Sequence, residues 1–185
     1  MDRALADRLD GALPQTQCTR CGYAGCRPYA EAMAAGTAGT DQCPPGGDAT
    51  ATALAALLDR APRALNPAFG TAAPPRVAVI DEAVCIGCAK CLPACPVDAI
   101  VGARKQLHTV IARECSGCEL CLPPCPVDCI TLVDLAAVPL PVEAIRRLAL
   151  QYRDRYDAHR ARGASREAGR AARLEARASP AKLAP

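Results

Sequence analysis

Eight cysteines repeat one spacing twice: three thiols stand three positions apart, and a fourth follows four positions later, directly before a proline. Thiolates at this spacing are typical bacterial ligands of two iron-sulfur clusters, and the fourth cysteine of each run ligates the cluster of the other run. Two structural zinc sites are the alternative, although zinc sites usually pair two Cys-x-x-Cys units without the further thiols. The spacing therefore predicts one cluster on Cys85, Cys88, Cys91 and Cys125 and another on Cys115, Cys118, Cys121 and Cys95.

The two runs belong to an internal repeat with an offset of thirty residues. Pro-Val-Asp follows each fourth cysteine, at 96–98 and at 126–128, and Gly87 and Gly117 occupy equivalent loop positions. A glycine at that position lets backbone N–H groups approach the sulfur atoms of a cluster. A duplicated unit is the simplest explanation of the pattern.

A third set of four cysteines lies nearer the N-terminus and has a different spacing: Cys18, Cys21, Cys26 and Cys43. From the residues alone this set is a four-thiolate site. Zinc, a 2Fe-2S cluster or a third 4Fe-4S cluster would each accept four sulfurs.

Few other residues suggest chemistry. Cys129 is the thirteenth cysteine, and its counterpart in the repeat is Ala99, so we predict a small packing residue, with a reactive thiol as the alternative. His108 and His159 are not expected to be ligands, because every site already has four sulfurs. No nucleophile-base pair or phosphate-binding glycine loop is evident, so no catalytic side chain is predicted. Single-electron transfer remains as the chemistry of the chain.

The composition excludes several classes of protein. With one Phe and no Trp among 185 residues, the apolar core is small, and bound metal is expected to help hold the chain together. No apolar run approaches the ~20 residues of a membrane-spanning helix. The N-terminus carries acidic residues instead of the basic start of a signal peptide. We therefore expect a cytoplasmic protein without disulfides.

The predicted fold class is α+β, with a small helical module at residues 1–58, a Pro-containing linker at 59–75 and a two-cluster ferredoxin-type domain at 76–138. Leu5, Leu9 and Leu13 form one apolar stripe on a first helix, which ends at Pro14. A second helix is predicted from Pro28 to Gly36, and a third, capped by Asp48 or Thr50, runs to Leu58. Short β-prone runs flank the cysteines of each repeat and predict two small hairpins, one in each repeat: Val77–Ile80 with Ala99–Val101, and His108–Ile111 with Ile130–Val133.

The C-terminal segment, residues 139–185, is predicted to begin with a helix at Pro141. Its apolar face fades after Tyr152, and residues 151–185 hold nine basic against four acidic residues. Such an Arg/Ala-rich tail is typical of a solvated helix or a disordered arm. A tail of this charge could also contact nucleic acid or anionic lipid.

Several segments together resemble the B subunit of the Rnf/Rsx ion-translocating electron transport complex. The resemblance covers roughly residues 10–135 and rests on Leu13–Ala32, Gln42–Gly47, Val77–Glu82, Cys85–Cys88, Ala94–Ala103 and His108–Val110. It implies an N-terminal 4Fe-4S domain on Cys18, Cys21, Cys26 and Cys43, followed by a two-cluster ferredoxin domain on the eight repeated cysteines. Three 4Fe-4S clusters that relay single electrons would follow.

The resemblance also implies redox protein partners, among them other Rnf/Rsx-type subunits. Members of that family usually begin with a hydrophobic membrane anchor, whereas seventeen residues precede Cys18. We therefore expect a form without the anchor and without an integral span, located in the cytoplasm or peripherally at the cytoplasmic face of the inner membrane. Two alternatives remain at this stage: a free-standing soluble ferredoxin for another enzyme, and a structural or regulatory module that binds through its basic tail.

Overall fold

The computed structural model describes residues 2–135 and 140–178. Helices α1 (Arg3–Ala12), α2 (Cys26–Ala34) and α3 (Gly47–Leu57) form the N-terminal module. The Asp2 carboxylate caps α1 by accepting a hydrogen bond from the Leu5 N–H at 3.1 Å. The apolar stripe predicted for α1 packs into the core of the module, which consists mainly of Leu9, Leu13, Tyr29, Met33 and Leu54.

The predicted cap of α3 is wrong. Gly46 is the N-cap and no side chain caps this end, because the helix begins at Gly47 and places Asp48 inside the first turn. The Asp48 carboxylate instead accepts the Leu65 N–H at 2.7 Å, and the Asn66 N–H donates to the Asp41 carbonyl at 2.8 Å. The linker, with its 3₁₀ turn at Pro67–Phe69, is thus fastened to the N-terminal module.

The repeated part of the chain forms two units, which we define as the first unit (residues 76–105) and the second unit (residues 106–135). Their elements are β1 (Arg76–Ile80), α4 (Cys91–Ala94), β2 (Ile100–Val101), β3 (Thr109–Val110), a 3₁₀ turn at Ala112–Glu114 and β4 (Ile130–Asp134). The β-prone runs therefore lie where the sequence predicted them, within a residue or two.

The predicted pairing of these strands is wrong. Strand β1 pairs antiparallel with β4, with Ile80 opposite Ile130, and β2 pairs antiparallel with β3, so each two-stranded sheet joins the two units. Ala78 and Ile80 of β1 are buried in one core cluster with Ile130 of β4 and with cysteines of both units. The two units are consequently interlocked.

The C-terminal helix α5 (Val142–Ala178) is longer than the other elements that the structure describes. Its first half packs on both parts of the protein: the Tyr152 hydroxyl donates to the Cys115 carbonyl at 3.2 Å, and the Arg153 guanidinium pairs with the Asp10 carboxylate at 2.9 Å. Its second half is largely exposed. Within residues 2–135 and 140–178, no helix combines the length and the apolar character needed to cross a membrane.

Candidate metal centres

The N-terminal group comprises the four thiols of the third set in the sequence: Cys18, Cys21, Cys26 and Cys43. Gln17 has a positive φ of 56°, and its side-chain Oε1 accepts the Cys26 N–H at 2.9 Å. The Tyr29 hydroxyl donates to the Gly39 carbonyl at 2.8 Å and accepts the Gln42 N–H at 3.2 Å. These bonds hold the loop that returns Cys43 to the start of α2.

The first-unit group is defined as Cys85, Cys88, Cys91 and Cys125. All four line one small cavity, together with Cys129, His108 and apolar side chains such as Ile80 and Ile130. Cys125 reaches this cavity from the second unit. The fold therefore brings together the four thiols that crossed ligation requires at this position.

The second-unit group is defined as Cys115, Cys118, Cys121 and Cys95, the last of which comes from the first unit. Burial raises the pKa of Cys121 to about 12, and the charges of the other three thiols of the group add to this rise. The pKa of Cys118 rises to about 11, chiefly through burial and further through Cys95 and Cys115. Cys95 and Cys121 are buried in one core cluster, and Cys115 packs against it.

Three thiols of the N-terminal group, Cys21, Cys26 and Cys43, have raised pKa values for the same reason. Burial raises the pKa of Cys26 to about 12 and that of Cys43 well above its ordinary value, with a further rise from neighbouring thiols. Buried thiolates form when a bound cation replaces the hydration that they lose, and binding then releases the protons. The donor sets fit thiolate-ligated clusters. Among the described residues, no three or more His, Cys, Asp or Glu side chains are arranged to hold a single metal ion.

Backbone N–H groups surround the fourth cysteine of each repeat. The Ala99 N–H donates to the Cys95 sulfur at 3.2 Å. Burial opposes ionisation of Cys125, but the N–H groups that follow it hold its pKa below the ordinary value. The residue after each Pro-Val, Asp98 or Asp128, has a positive φ near 48°, which curls the chain around the sulfur. Hydrogen bonds of this kind stabilise negative charge on a ligand sulfur.

The two loop glycines permit close contact between the units. Gly87 and Gly117 have positive φ values of 66° and 65°. A Cβ at Gly87 would lie 2.7 Å from the Gln106 carbonyl oxygen, and one at Gly117 would lie 2.5 Å from that of Arg76. Gln106 and Arg76 are thirty residues apart and therefore equivalent. Besides the approach of N–H groups that the sequence predicted, these glycines leave space for the backbone of the repeat.

The cysteine loop of the N-terminal group contacts the cysteine loop of the second unit. The Ser116 hydroxyl donates to the Thr16 carbonyl at 3.2 Å. The Glu119 carboxylate receives two guanidinium groups, one from Arg20 and one from Arg76 at 2.6 Å. The second-unit group thus lies between the N-terminal group and the first-unit group along this line of contacts.

Cys129 is buried and lines the first-unit cavity, with its sulfur 3.5 Å from that of Cys125. Burial and the contact with Cys125 raise its pKa to about 12. The first-unit cavity therefore has a fifth thiol, whereas Ala99 occupies the equivalent position near the second-unit group. That Cys129 is a small packing residue stays a prediction.

The two histidines are placed differently. His159 lies on α5 and its Nδ1 is 2.7 Å from the Asp98 carboxylate, while Arg162 of the same helix pairs with that carboxylate too. His108 is buried beside Cys85. This contact was not predicted from the sequence, although one signal was present: the residue equivalent to His108 in the first unit is Ala78, so the two units differ at that position.

Comparisons with known proteins agree with the donor sets. Residues 78–132 match the family described as a 4Fe-4S dicluster domain, and residues 13–45 match the family described as a putative Fe-S cluster. Iron-sulfur cofactors are therefore supported at both ends of the cysteine-rich region.

Similar curated proteins share one name, since each is the B subunit of an ion-translocating oxidoreductase complex. The protein of Pseudomonas paraeruginosa is 64% identical over 132 residues, which are 71% of this chain and 69% of that protein. The protein of Alkalilimnicola ehrlichii is 62% identical over 130 residues, or 70% of each chain. The protein of Thiobacillus denitrificans is 61% identical over 110 residues, and the chain spans 58% of its length. These names do not favour a free-standing ferredoxin or a structural module.

Proposed function

The chain belongs to the family of the B subunits of ion-translocating oxidoreductase complexes, and we propose that it relays single electrons through three 4Fe-4S clusters. A cluster of this kind, when bound, accepts and releases one electron. The residues of this chain ligate the clusters, exclude water from the sulfurs and direct N–H groups at them. No side-chain catalysis is needed for this function.

The proposed ligands are the twelve cysteines outside Cys129. Their assignment follows the neighbourhoods described above, including the exchange of the fourth cysteine between the two units. It consists of the N-terminal group (Cys18, Cys21, Cys26, Cys43), the first-unit group (Cys85, Cys88, Cys91, Cys125) and the second-unit group (Cys115, Cys118, Cys121, Cys95).

The contact between cysteine loops is the observation that carries the proposal. Thr16 and Ser116 are joined by a hydrogen bond, and Glu119 binds Arg20 two residues after Cys18. Because this contact joins the N-terminal group to the second unit, and the exchanged cysteines join the second unit to the first, we propose a linear order of electron transfer. The order is N-terminal group, second-unit group, first-unit group, in either direction.

We further propose that the electron donor and acceptor are protein partners, among them other subunits of an ion-translocating oxidoreductase complex. The names of the relatives support this proposal. Association with a membrane would then arise through those subunits. The exposed second half of α5 adds basic residues that would favour anionic surfaces, at about 1 kcal/mol for each residue close to such a surface.

Anaerobic purification of the full chain, followed by iron and sulfide analysis, tests the proposal. We expect about twelve iron and about twelve sulfide ions per chain, four of each for every 4Fe-4S cluster, and reversible reduction. Cys129→Ala is the matched control and should leave both contents unchanged. About eight iron, eight sulfide and one zinc per chain would remove the N-terminal group from the relay. Clusters that do not cycle reversibly would contradict electron transfer.

A further inference from the structure

A buried histidine touches a proposed cluster ligand. His108 is 1% exposed and lines the first-unit cavity, and its Nδ1 lies 3.5 Å from the sulfur of Cys85. Its other ring nitrogen, Nε2, is buried and has no hydrogen-bond partner among the described residues. Within the described part of the chain, the imidazole therefore makes one polar contact, and that contact is with the Cys85 sulfur.

The unpartnered Nε2 indicates where the proton of the neutral ring resides. One nitrogen of a neutral imidazole carries a proton and the other accepts. Buried N–H groups without an acceptor are rarer in proteins than under-satisfied acceptors. A proton on Nδ1 finds the Cys85 sulfur as its acceptor, whereas a proton on Nε2 would find none. The arrangement favours an Nδ1–H group that points at sulfur.

The repeat shows that this imidazole belongs to one cluster site only. In the sheet of β2 and β3, His108 continues the register opposite Gly102, and a Cβ at Gly102 would collide with the imidazole Cδ2. In the sheet of β1 and β4, the equivalent pair is Ala78 opposite Leu132. The sheet of β2 and β3 therefore combines a large polar residue with glycine, and the sheet of β1 and β4 combines alanine with a large apolar residue. The two pairs fill similar space, but a side-chain N–H donor is present only in the pair that contains His108.

We propose that His108 is a positioning residue that donates its Nδ1–H to the Cys85 sulfur and raises the reduction potential of the first-unit cluster above the value it would have without this bond. The inference rests on the proposed function. A hydrogen bond to a ligand sulfur stabilises the added negative charge of the reduced cluster, and such bonds are among the determinants of iron-sulfur potentials. The second-unit group, with Ala78 and Leu132 at the equivalent positions, lacks this contribution.

Potentiometric titration of the anaerobic full chain, followed by EPR, tests the inference. His108→Leu keeps an apolar side chain at the position but removes the donor, and His108→Asn retains an N–H donor near Nδ1. In His108→Leu we expect about a tenfold smaller equilibrium constant for reduction of one cluster, which corresponds to about 59 mV for one electron. The other two clusters should keep their potentials, and His108→Asn should restore most of the loss. The altered spectrum of Cys85→Ser identifies the first-unit cluster.

The outcomes separate the inference from the proposed function. A wild-type chain without reducible clusters would overturn the proposed function. Three normal clusters with unchanged potentials in His108→Leu would overturn the inference alone, as would equal shifts in the Leu and Asn variants. If the Leu variant does not fold, the wild-type chain still tests the hydrogen bond. It has only two histidines, so a histidine signal can be assigned with one further variant. Selective ¹⁵N labelling of histidine should give a nitrogen coupling at the reduced first-unit cluster that persists in His159→Gln, and its absence would refute the bond.

Discussion

Arg155 on α5 binds the turn that follows the proposed ligand Cys95, and removal of its side chain should loosen α5. Its Nε donates to the Val97 carbonyl at 2.7 Å, one terminal nitrogen donates to the Asp98 carbonyl at 3.0 Å, and the other pairs with the Glu114 carboxylate. Val97 and Asp98 follow Cys95 directly after Pro96. A single guanidinium therefore connects the helix to both units of the ferredoxin-type domain.

The size of the effect follows from these contacts. Hydrogen bonds from a charged donor contribute about 1.5–3 kcal/mol each when well shielded, but the Arg155 side chain is 29% exposed, so solvent reduces the sum. We expect Arg155→Ala to lower the opening free energy of α5 by about 2 kcal/mol, which corresponds to about 30-fold faster amide exchange. Arg155→Lys should lie between wild type and Ala, because an ammonium cannot reproduce the planar fork.

Hydrogen-deuterium exchange of the anaerobic, iron-loaded chain, read by mass spectrometry over residues 148–162, measures this effect. Arg166→Ala on the exposed half of the same helix is the matched control and should leave exchange within about twofold of wild type. An Arg155→Ala chain that exchanges no faster than the Arg166→Ala chain would refute the view that these contacts fasten the helix.

Three further predictions concern the cysteine groups and their connections. Cys129→Ala should retain the iron content of wild type, because Ala99 already occupies the equivalent position. Cys95→Ala should instead damage the second-unit cluster. Selective loss of the first-unit EPR signal in Cys95→Ala would contradict the exchange of the fourth cysteine between the units. Glu119→Gln removes the charge that binds Arg20 and Arg76. It should weaken the contact of the N-terminal loop by about 1 kcal/mol, measured as about fivefold faster amide exchange in residues 16–20. Unchanged exchange in those residues would exclude a stabilising role of Glu119. Removal of iron by an anaerobic chelator should abolish much of the ordered structure of residues 76–134, because the apolar core is small and ligation contributes folding free energy; a circular dichroism spectrum that does not change would contradict this dependence.

The sequence predicted those features that depend on local pattern. The apolar stripe of α1, the positions of the β-prone runs and the spacing of the cysteines are all readable over a few residues. Strand partners are not, because the pairing of Ile80 with Ile130 depends on contacts fifty residues apart. For the same reason, local pattern predicted a hairpin within each repeat, whereas β1 pairs with β4 and β2 pairs with β3.

The basic C-terminal helix shows a second limit of prediction from sequence. Arginines near its start fit a solvated face by composition, yet Arg153 and Arg155 bind the Asp10 carboxylate and the carbonyls after Pro96. Free carbonyl acceptors of this kind have no sequence signature, because they depend on the backbone turn. Likewise, nothing local to His108 indicates that Cys85, in the other repeat, lies beside it.

A count of electrons tests the central claim most directly. The anaerobic full chain is titrated with a calibrated low-potential reductant, and the visible absorbance and EPR signals are followed to completion and then reversed with an oxidant. Because each 4Fe-4S cluster takes up one electron, we predict about three electrons per chain, recovered fully on reoxidation. Uptake of about two electrons per chain, with the signal of the N-terminal group missing, would contradict a relay of three clusters.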